Sequence, residues 1–277
     1  MTSNHIALGI AHFTCIDVPP VEFVHVAHDA GYARVGLRLV PAFPSAPYYT
    51  VPPGSSDMRA LKNALTSTGL SVYDIEFAVV DATFSLENIE AALDAAAELG
   101  AKRLSVCGDD AVEERLALNL SKLCERAAQA AIAVDIEIMP WRSVGSLSTA
   151  LRVASAVQQH NIGLLIDALH LTRSGASPAE LKRVAPTLIQ HVQLCDAPAV
   201  RPPDNAALIA EARGGRLLPG EGRLPLHVLL AQTPRHATLS VEVPNNGAPP
   251  REHAKRVFDA AMREIQAQQA ISSPGAA

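Results

Sequence analysis

Four polar residues lie inside four largely hydrophobic, strand-like segments of the chain. They are Glu137 in AVDIEIM, Asp167 in IGLLIDA, Gln193 in IQHVQLCD and Glu242 in TLSVEVP. A carboxylate in a buried strand loses its hydration, which costs free energy unless a cation or a hydrogen-bond donor compensates for the loss. Carboxylates and an amide oxygen, without thiolates, are the ligands that a hard divalent cation prefers. The sequence therefore predicts a metal site that binds Mg or Mn, with Co or Zn as alternatives.

Each of these acids also has a second interpretation, in which it pairs with an arginine or caps a helix. All four residues, however, stand near the carboxyl end of their segment. Carboxylates that crowd together raise one another's pKa values, and a divalent cation relieves that repulsion. The matched positions therefore favour one shared cation over separate partners.

Eight strand-like segments set the positions of these residues. They are HIALGIAHF, ARVGLRLV, SVYDIEFAVV, KRLSVCG, AVDIEIM, IGLLIDA, IQHVQLCD and TLSVEVP. Most are about 30 residues apart, the length of one β-α unit, and their Val, Ile and Leu content is typical of parallel strands covered on both faces. We predict an α/β fold, a single (β/α)8 TIM barrel. A doubly wound dinucleotide-binding sheet would need G-x-G-x-x-G after the first strand, where TCIDVPP stands instead.

No shift in composition divides the chain, so we predict one barrel domain over residues 1–265 and a disordered tail over 266–277. Alanine-rich amphipathic segments separate the strands. The clearest, SLENIEAALDAAAELG, is predicted to begin at a Ser85 cap and to end at a left-handed Gly100. Another opens with a capping box at Ser177, followed by proline at the first helical position.

Two connections are much longer than the rest. VPAFPSAPYYTVPPGSSD follows the second strand, and APAVRPPDNAALIAEARGGRLLPGEGRLP follows the seventh. Active sites of these barrels are built from the loops after the strands, so both connections belong to the face that carries the polar residues. Long loops in compact domains are usually lids or binding segments.

Composition limits the range of partners. The 277 residues are 48% hydrophobic with a net charge of −5 and no run of lysine and arginine, which argues against nucleic acid. The four cysteines form no C-x-x-C pair, as expected for reduced thiols. The amino terminus lacks a signal-peptide pattern and no apolar run could span a membrane. We expect a cytoplasmic protein that acts on a small molecule, and a homo-oligomer stays open.

The order E…D-x-x-H…(H/Q)…E on the last four strands resembles the xylose-isomerase-like superfamily of barrels. The resemblance covers the whole chain, through LLIDALH on the sixth strand, HVQLCD on the seventh, RLLPGEG beyond it and SVEVPN on the eighth. This superfamily includes sugar isomerases and epimerases, hydroxypyruvate isomerase, inosose and 3-dehydroshikimate dehydratases, and endonuclease IV.

The resemblance implies a role for each site residue. The metal ligands would be Glu137, Asp167, Gln193 and Glu242, where many members have histidine in place of Gln193. Glu137 and Glu242 would also transfer protons, as in the epimerases of the superfamily. His170 would point toward a substrate oxygen, and Arg216 of R-x-x-P-G-x-G would contact the substrate. The bound metal would stabilise an enolate as a Lewis acid.

Three functions follow from this chemistry. The first is a metal-dependent isomerase or epimerase that acts on a small keto sugar or hydroxy-keto acid through an enediolate. The alternative is a lyase of the 3-dehydroshikimate dehydratase type, favoured by Gln193, by basic residues for a carboxylate and by an aromatic content of only 4%. An endonuclease is excluded, because strands two to four carry no histidine and the net charge has the wrong sign.

Three further residues near strand ends are candidates for substrate binding. Arg38 has the charge to bind a carboxylate or phosphate, or to pair with Glu76 one strand away. Trp141 follows Glu137 closely and would form an apolar wall beside the substrate or pack in the core. For His12 and His191 a structural role is favoured over a ligand role.

Overall fold

The predicted barrel is present in the computed structural model, which describes residues 6–43 and 45–272. Eight parallel strands close into a barrel in chain order. The strands are β1 (Gly9–Ile10), β2 (Arg34–Arg38), β3 (Ser71–Asp81), β4 (Arg103–Asp109), β5 (Ala133–Glu137), β6 (Ile162–Asp167), β7 (Ile189–Leu194) and β8 (Thr238–Val241). Their continuous apolar residues are buried because helices cover the outside of the barrel.

Helices fill most of the connections between the strands. They are α1 (Pro20–Ala30), α2 (Ser56–Thr68), α3 (Glu90–Glu98), α4 (Glu113–Ala128), α5 (Leu147–Val157), α6 (Ala168–Arg173), α7 (Asn205–Gly214), α8 (Leu226–Gln232) and α9 (Pro250–Ser272). Short 3-10 helices lie at His12–Cys15, Leu86–Asn88, Pro178–Arg183 and Pro186–Leu188. Among the described residues, none of these helices has the length and apolar character needed to cross a bilayer.

The barrel interior contains two layers of polar side chains. Side chains alternate along a strand, so residues two apart face the same side. We call the layer nearer the carboxyl ends the upper layer: Arg38, Glu76, Glu137, Asp167, Gln193 and Glu242. The lower layer consists of Asp74, Asp135, His191 and Ser240, each two residues before a residue of the upper layer, and of Ser105 on β4, which pairs in register with Asp135. All eleven residues are buried.

Glycine leaves the space that these polar side chains need. A Cβ atom on Gly36 of β2 would lie 2.4 Å from Asp74 Oδ1 and 2.5 Å from Glu76 Oε1. A Cβ atom on Gly163 of β6 would lie 2.4 Å from Asp135 Oδ1. Most barrel interiors are filled by branched apolar residues. Here glycines opposite the acids let the carboxylates enter the interior.

Several local predictions differ from the structure. The first strand is only Gly9–Ile10, because the chain turns into a 3-10 helix at His12. Ser85 makes no side-chain cap, since a 3-10 turn precedes α3, although Gly100 has the expected positive φ of 69°. The capping box at Ser177 is present but opens a 3-10 helix.

The carboxyl-terminal boundary also differs from the prediction. Helix α9 continues to Ser272, so residues 266–272 of the expected disordered tail are helical. The apolar side of α9, which includes Ala261 and Ile265, packs in the core up to the predicted domain end, and the helix continues beyond it. The remaining tail residues, 273–277, lie outside the described part of the chain.

Candidate metal centre and active site

The strand ends bring the four sequence-predicted residues to one end of the barrel. Glu137 and Asp167 are the last residues of β5 and β6, and Glu242 directly follows β8. Gln193 of β7 is paired in register with Asp167. All four side chains are buried. Parallel pairing places the carboxyl ends of neighbouring strands side by side, which is why local spacing predicted this cluster.

Arg216 lies among these acids. Its Nη1 donates to Asp167 Oδ2 at 2.5 Å, and its Nη2 lies 2.9 Å from Glu242 Oε2. Two main-chain carbonyls also hold it, because Nε donates to Ala212 O at 3.0 Å and Nη1 lies 3.3 Å from Glu242 O. The sequence predicted a substrate-binding arginine here. Most of the donors of this guanidinium already bind protein acceptors.

Asp167 also fixes the position of His170. Its Oδ1 accepts the backbone N–H of His170 at 2.9 Å, which caps helix α6. Arg216 Nη2 lies 3.3 Å from His170 Nε2 and carries only donors, so Nε2 accepts and the ring proton resides on Nδ1. Burial lowers the pKa of His170 to about 4, which agrees with a neutral ring. The ring of Trp141 packs edge-on against it at 5.1 Å between centroids.

The acids of the upper layer differ in the direction of their pKa shifts. Burial raises the pKa of Glu137 well above its usual value, and the charges of Glu242 and Asp167 raise it further. Burial also raises the pKa of Glu242 to about 7, against the opposing effect of Arg216. Burial acts on Asp167 too, but Arg216 and His170 outweigh it and lower the pKa of that carboxyl. Positive charge is therefore what this cluster lacks.

The donor set fits a divalent cation. Four upper-layer carboxyl groups face only two arginines, Arg38 and Arg216, so full ionisation leaves two negative charges. Gln193 Oε1 is buried without a hydrogen-bond partner, and an unsatisfied amide oxygen is costly unless a cation or water reaches it. The residues predicted as ligands thus have uncompensated negative charge and a free oxygen, and a divalent cation would satisfy both.

One alternative set of ligands is suggested by distance alone. A ligand atom from each of Glu137, Asp167 and His170 lies within 4.8 Å of the other two. His170 Nε2, however, already accepts from Arg216, whereas Gln193 Oε1 has no donor. We therefore prefer Gln193 to His170 as the neutral ligand.

A small cavity opens beside the cluster. Glu137, His170, Arg216 and Glu242 line it, whereas Asp167, Gln193 and Glu76 do not. Its volume of about 50 Å³ is far below the roughly 300 Å³ at the lower end of ligand pockets. A substrate can enter only if a side chain or loop at the mouth moves.

Arg38 and Glu76 pair with each other, as one sequence interpretation proposed. Arg38 Nη2 lies 3.3 Å from Glu76 Oε2, and the guanidinium lies over the rings of Phe13 and Phe77. Glu76 also accepts the backbone N–H of His12 at 2.5 Å. Glu76 therefore holds Arg38 and the β1 loop, while Arg38 itself lines the cavity.

The cavity wall also contains residues that the sequence did not single out. They are Phe13, Ala42, Phe43, Phe77, Met139, Arg142, Ala212 and Arg213. Phe43 comes from the long connection after β2 and Arg213 from the one after β7, so their loops were predicted for this face although the residues were not. The nearest sequence signal for Arg213 is its position three residues before Arg216.

Comparison with known protein families agrees with this architecture. The sequence pattern of the family described as "xylose isomerase-like TIM barrel" matches residues 24–267 of the chain. The chain belongs to this family. The match begins in α1 and ends in α9, so it includes every residue of the upper layer.

One relative matches part of the chain. A 3-dehydroshikimate dehydratase from Pseudomonas aeruginosa is 31% identical over 182 residues, which cover 61% of this chain and 28% of that protein. This chain thus spans less than a third of the length of that relative.

Two solved structures have the same fold. One is a xylose isomerase-like TIM barrel/4-hydroxyphenylpyruvate dioxygenase fusion protein, with a TM-score of 0.77 and 21% identity over 96% of this chain and 43% of its own. The other is the IOLI protein with a bound zinc atom, with a TM-score of 0.73 and 14% identity over 98% of this chain and 100% of its own. At these identities the likeness establishes the fold alone.

Proposed function

We propose that this chain is a divalent-metal-dependent lyase. It would remove water from a β-hydroxy ketone that carries a carboxylate, of the 3-dehydroshikimate type. The observation that carries the proposal is the cavity itself. It joins two buried glutamates and a neutral histidine to four arginines, Arg38, Arg142, Arg213 and Arg216. Three of these arginines are paired with carboxylates, whereas Arg213 has no acidic partner among the described residues, and its guanidinium favours an acidic substrate over a neutral sugar.

The chain's own residues account for the proton transfers. Glu137 lines the cavity and has no arginine partner among the described residues, so it is the stronger base and takes the proton next to the ketone. His170 stays neutral, and its Nδ1–H would donate a hydrogen bond to a substrate oxygen. Glu242 lines the same cavity, and burial raises its pKa to about 7, so its protonated form would give a proton to the departing hydroxyl, which leaves as water. The proton that Glu137 takes up balances the one that Glu242 gives. The products are one conjugated acid and one water molecule.

The metal would be held by Glu137, Asp167, Gln193 and Glu242, with Mg, Mn or Co as the expected ion and Zn as an alternative. When bound, it supplies Lewis-acid stabilisation of the negative charge that develops on the ketone oxygen. Arg216 contributes a fixed positive charge on the side of Asp167 and Glu242. Trp141 supports His170 from its edge and limits the access of water to that ring.

The relative from Pseudomonas aeruginosa, a 3-dehydroshikimate dehydratase, gives independent support for this substrate class. Since this chain corresponds to only part of that protein, the activity is proposed for the barrel and tested on it directly.

An isomerase or epimerase that acts on a small keto sugar or hydroxy-keto acid is the second candidate. It is favoured by the presence of both glutamates, Glu137 and Glu242, in one cavity wall. One of them would remove a proton and the other would return it to the neighbouring carbon or to the opposite face. No hydroxyl would be lost, and no conjugated product would form.

The two candidates are separated by incubating the metal-supplemented protein with 3-dehydroshikimate, hydroxypyruvate and D-fructose in parallel. The lyase converts only 3-dehydroshikimate, with a rise in ultraviolet absorbance and one aromatic product by chromatography. Conversion of the ketose or of hydroxypyruvate without that rise would replace the lyase by the isomerase. The Glu137→Gln variant, prepared in the same way, serves as the inactive control.

A further inference from the structure

Arg213 differs from the other arginines of the cavity. Arg38, Arg142 and Arg216 each have a carboxylate partner. Arg213 forms no ion pair with any residue in the described ranges 6–43 and 45–272, although it lines the same cavity. A guanidinium without an acid at the mouth of a cavity has donors available for an incoming anion.

The neighbours of Arg213 increase this tendency. Its guanidinium carbon lies 3.8 Å from the centre of the Phe43 ring, which fixes its position by a cation–π contact. Partial burial lowers the pKa of Arg213, and the nearby charge of Arg142 lowers it further. Arg142 is thus a second cation near Arg213, and an anion bound by both guanidinium groups would relieve their mutual repulsion.

Arg142 offers a free donor on the same wall. One end of its guanidinium binds Asp109, and that carboxylate also accepts the backbone N–H of Ser143 at 3.1 Å. Arg142 Nε, in contrast, is buried without a partner. The bond to Asp109 holds one end of the guanidinium, and Nε has no acceptor within the described protein.

We propose that Arg213 and Arg142 together bind the carboxylate of the substrate at the mouth of the cavity, and that Phe43 positions Arg213. This proposal takes its substrate class, an acidic ketone, from the proposed function, but it does not depend on the proposed reaction. It assigns carboxylate binding to residues other than Arg38 and Arg216, the two that the sequence suggested. Arg38 is paired with Glu76, and Arg216 is paired with Asp167 and Glu242.

This assignment gives a role to the long connection after β7. Helix α7 lies in that connection, and Arg213 stands in its last turn with Arg216 shortly beyond its end. One segment therefore delivers a guanidinium to the acid cluster and a second to the cavity mouth. A carboxylate bound at the mouth would leave the ketone end of a small acid facing Glu137 and His170, which lie deeper.

The test compares Arg213→Met with Arg223→Met by calorimetric binding and by kinetics. Arg223 is an exposed arginine of the same connection that does not line the cavity, so its replacement removes the same charge elsewhere. The probes are 3-dehydroshikimate, hydroxypyruvate and neutral D-fructose, each with Mn²⁺ present. We expect Arg213→Met to weaken binding of the two acids about tenfold. Arg223→Met should change the affinity for the two acids less than twofold. D-fructose should bind both variants no better than it binds the wild type.

Kinetics and salt supply further readouts. The Arg213→Met loss should appear as a higher KM with a nearly unchanged kcat, and Arg213→Lys should retain part of the affinity because the charge is kept. Binding of the acids should weaken with rising salt in the wild type and less so in Arg213→Met.

The outcomes distinguish this proposal from the lyase proposal. If 3-dehydroshikimate is not dehydrated but hydroxypyruvate binds in an Arg213-dependent manner, the lyase fails and the carboxylate site stands. If neither acid binds the wild type, or if both arginine variants behave alike, the carboxylate site is overturned. Equal binding of D-fructose and of the acids would overturn it too.

Discussion

The two polar layers of the barrel interior are built by the same strands and behave differently. In the lower layer Asp135 receives both of its bonds from Arg103, and Asp74 accepts from Ser105 Oγ at 2.8 Å. In the upper layer Arg216 is shared between Asp167 and Glu242, while Glu137 has no arginine among the described residues. None of the lower-layer residues lines the cavity, whereas Arg38, Glu137 and Glu242 do.

The difference separates stability from chemistry. A buried carboxylate with its own arginine is electrostatically complete, and its removal leaves an uncompensated charge. Carboxylates whose negative charge is only partly compensated have raised pKa values, and they can bind a cation or transfer a proton. We therefore expect replacement of Asp135 in the lower layer to act on folding and mutations in the upper layer to act on turnover.

The strongest test is Glu137→Gln, which keeps the size of the side chain and removes its charge. Turnover of the true substrate should fall by about 10²- to 10⁴-fold, because the proposed base is lost. The unfolding free energy should not decrease, since a repelled carboxylate disappears. Steady-state kinetics and chemical denaturation measure the two effects. Glu221→Gln, an exposed glutamate of the β7 connection, is the control; equal activity of both variants would contradict the assignment.

The matching change in the lower layer is Asp135→Ala. It leaves the partly buried Arg103 without its carboxylate, so the unfolding free energy should fall by about 3–5 kcal/mol. Denaturant titration measures this loss. Asp94→Ala, which removes an exposed partner of Arg126, should change stability by less than about 1 kcal/mol. A folded Asp135→Ala protein with normal stability and no activity would contradict the assignment of Asp135 to stability and of the upper layer to turnover.

Gln193 sharpens the comparison, because it is the neutral member of the upper layer. Gln193→Leu should weaken Mn²⁺ binding by about 10- to 100-fold, as measured by calorimetry on the metal-free protein. Gln193→His keeps a ligand atom and should retain most of the affinity. Leu194→Met, a neighbouring core position on β7, controls for packing. Unchanged affinity in Gln193→Leu would exclude Gln193 as a ligand.

The smallest expected effect concerns pH. Burial lowers the pKa of His12 to about 4, where Nε2 donates to Val18 O and Nδ1 accepts from Arg38 N–H. The unfolded chain binds this proton near pH 6.5 and the folded chain only near pH 4. Stability is therefore complete above about 6.5 and falls with acidification below it, by up to about 1.4 kcal/mol per pH unit.

Denaturant titrations of the wild type and of His12→Gln between pH 7 and pH 5 measure this effect. The difference in slope between the two proteins isolates the contribution of His12, because the other titrating groups are common to both. An identical pH dependence would show that His12 is not held neutral by the fold.

The positions of the four cluster residues were predictable from local sequence. Each interrupts an apolar segment at its carboxyl end, and the parallel barrel places such ends together whatever the loops do. The error at Ser85 was also local, since a capping residue is only one of several ways to begin a helix. The helix continues seven residues past Ile265, the last α9 residue in the core, and the polar composition of that segment did not indicate a helix.

The sequence by itself determined the barrel, the family and the ring of acids, because these follow from the alternation and spacing of side chains along each strand. Only the tertiary structure decided how the charges are shared. Arg216 reaches Asp167 across 49 positions of the chain, and Phe43 meets Arg213 across two separate loops. Such contacts depend on how distant segments fold back over the barrel, and no local spacing in the sequence encodes that path.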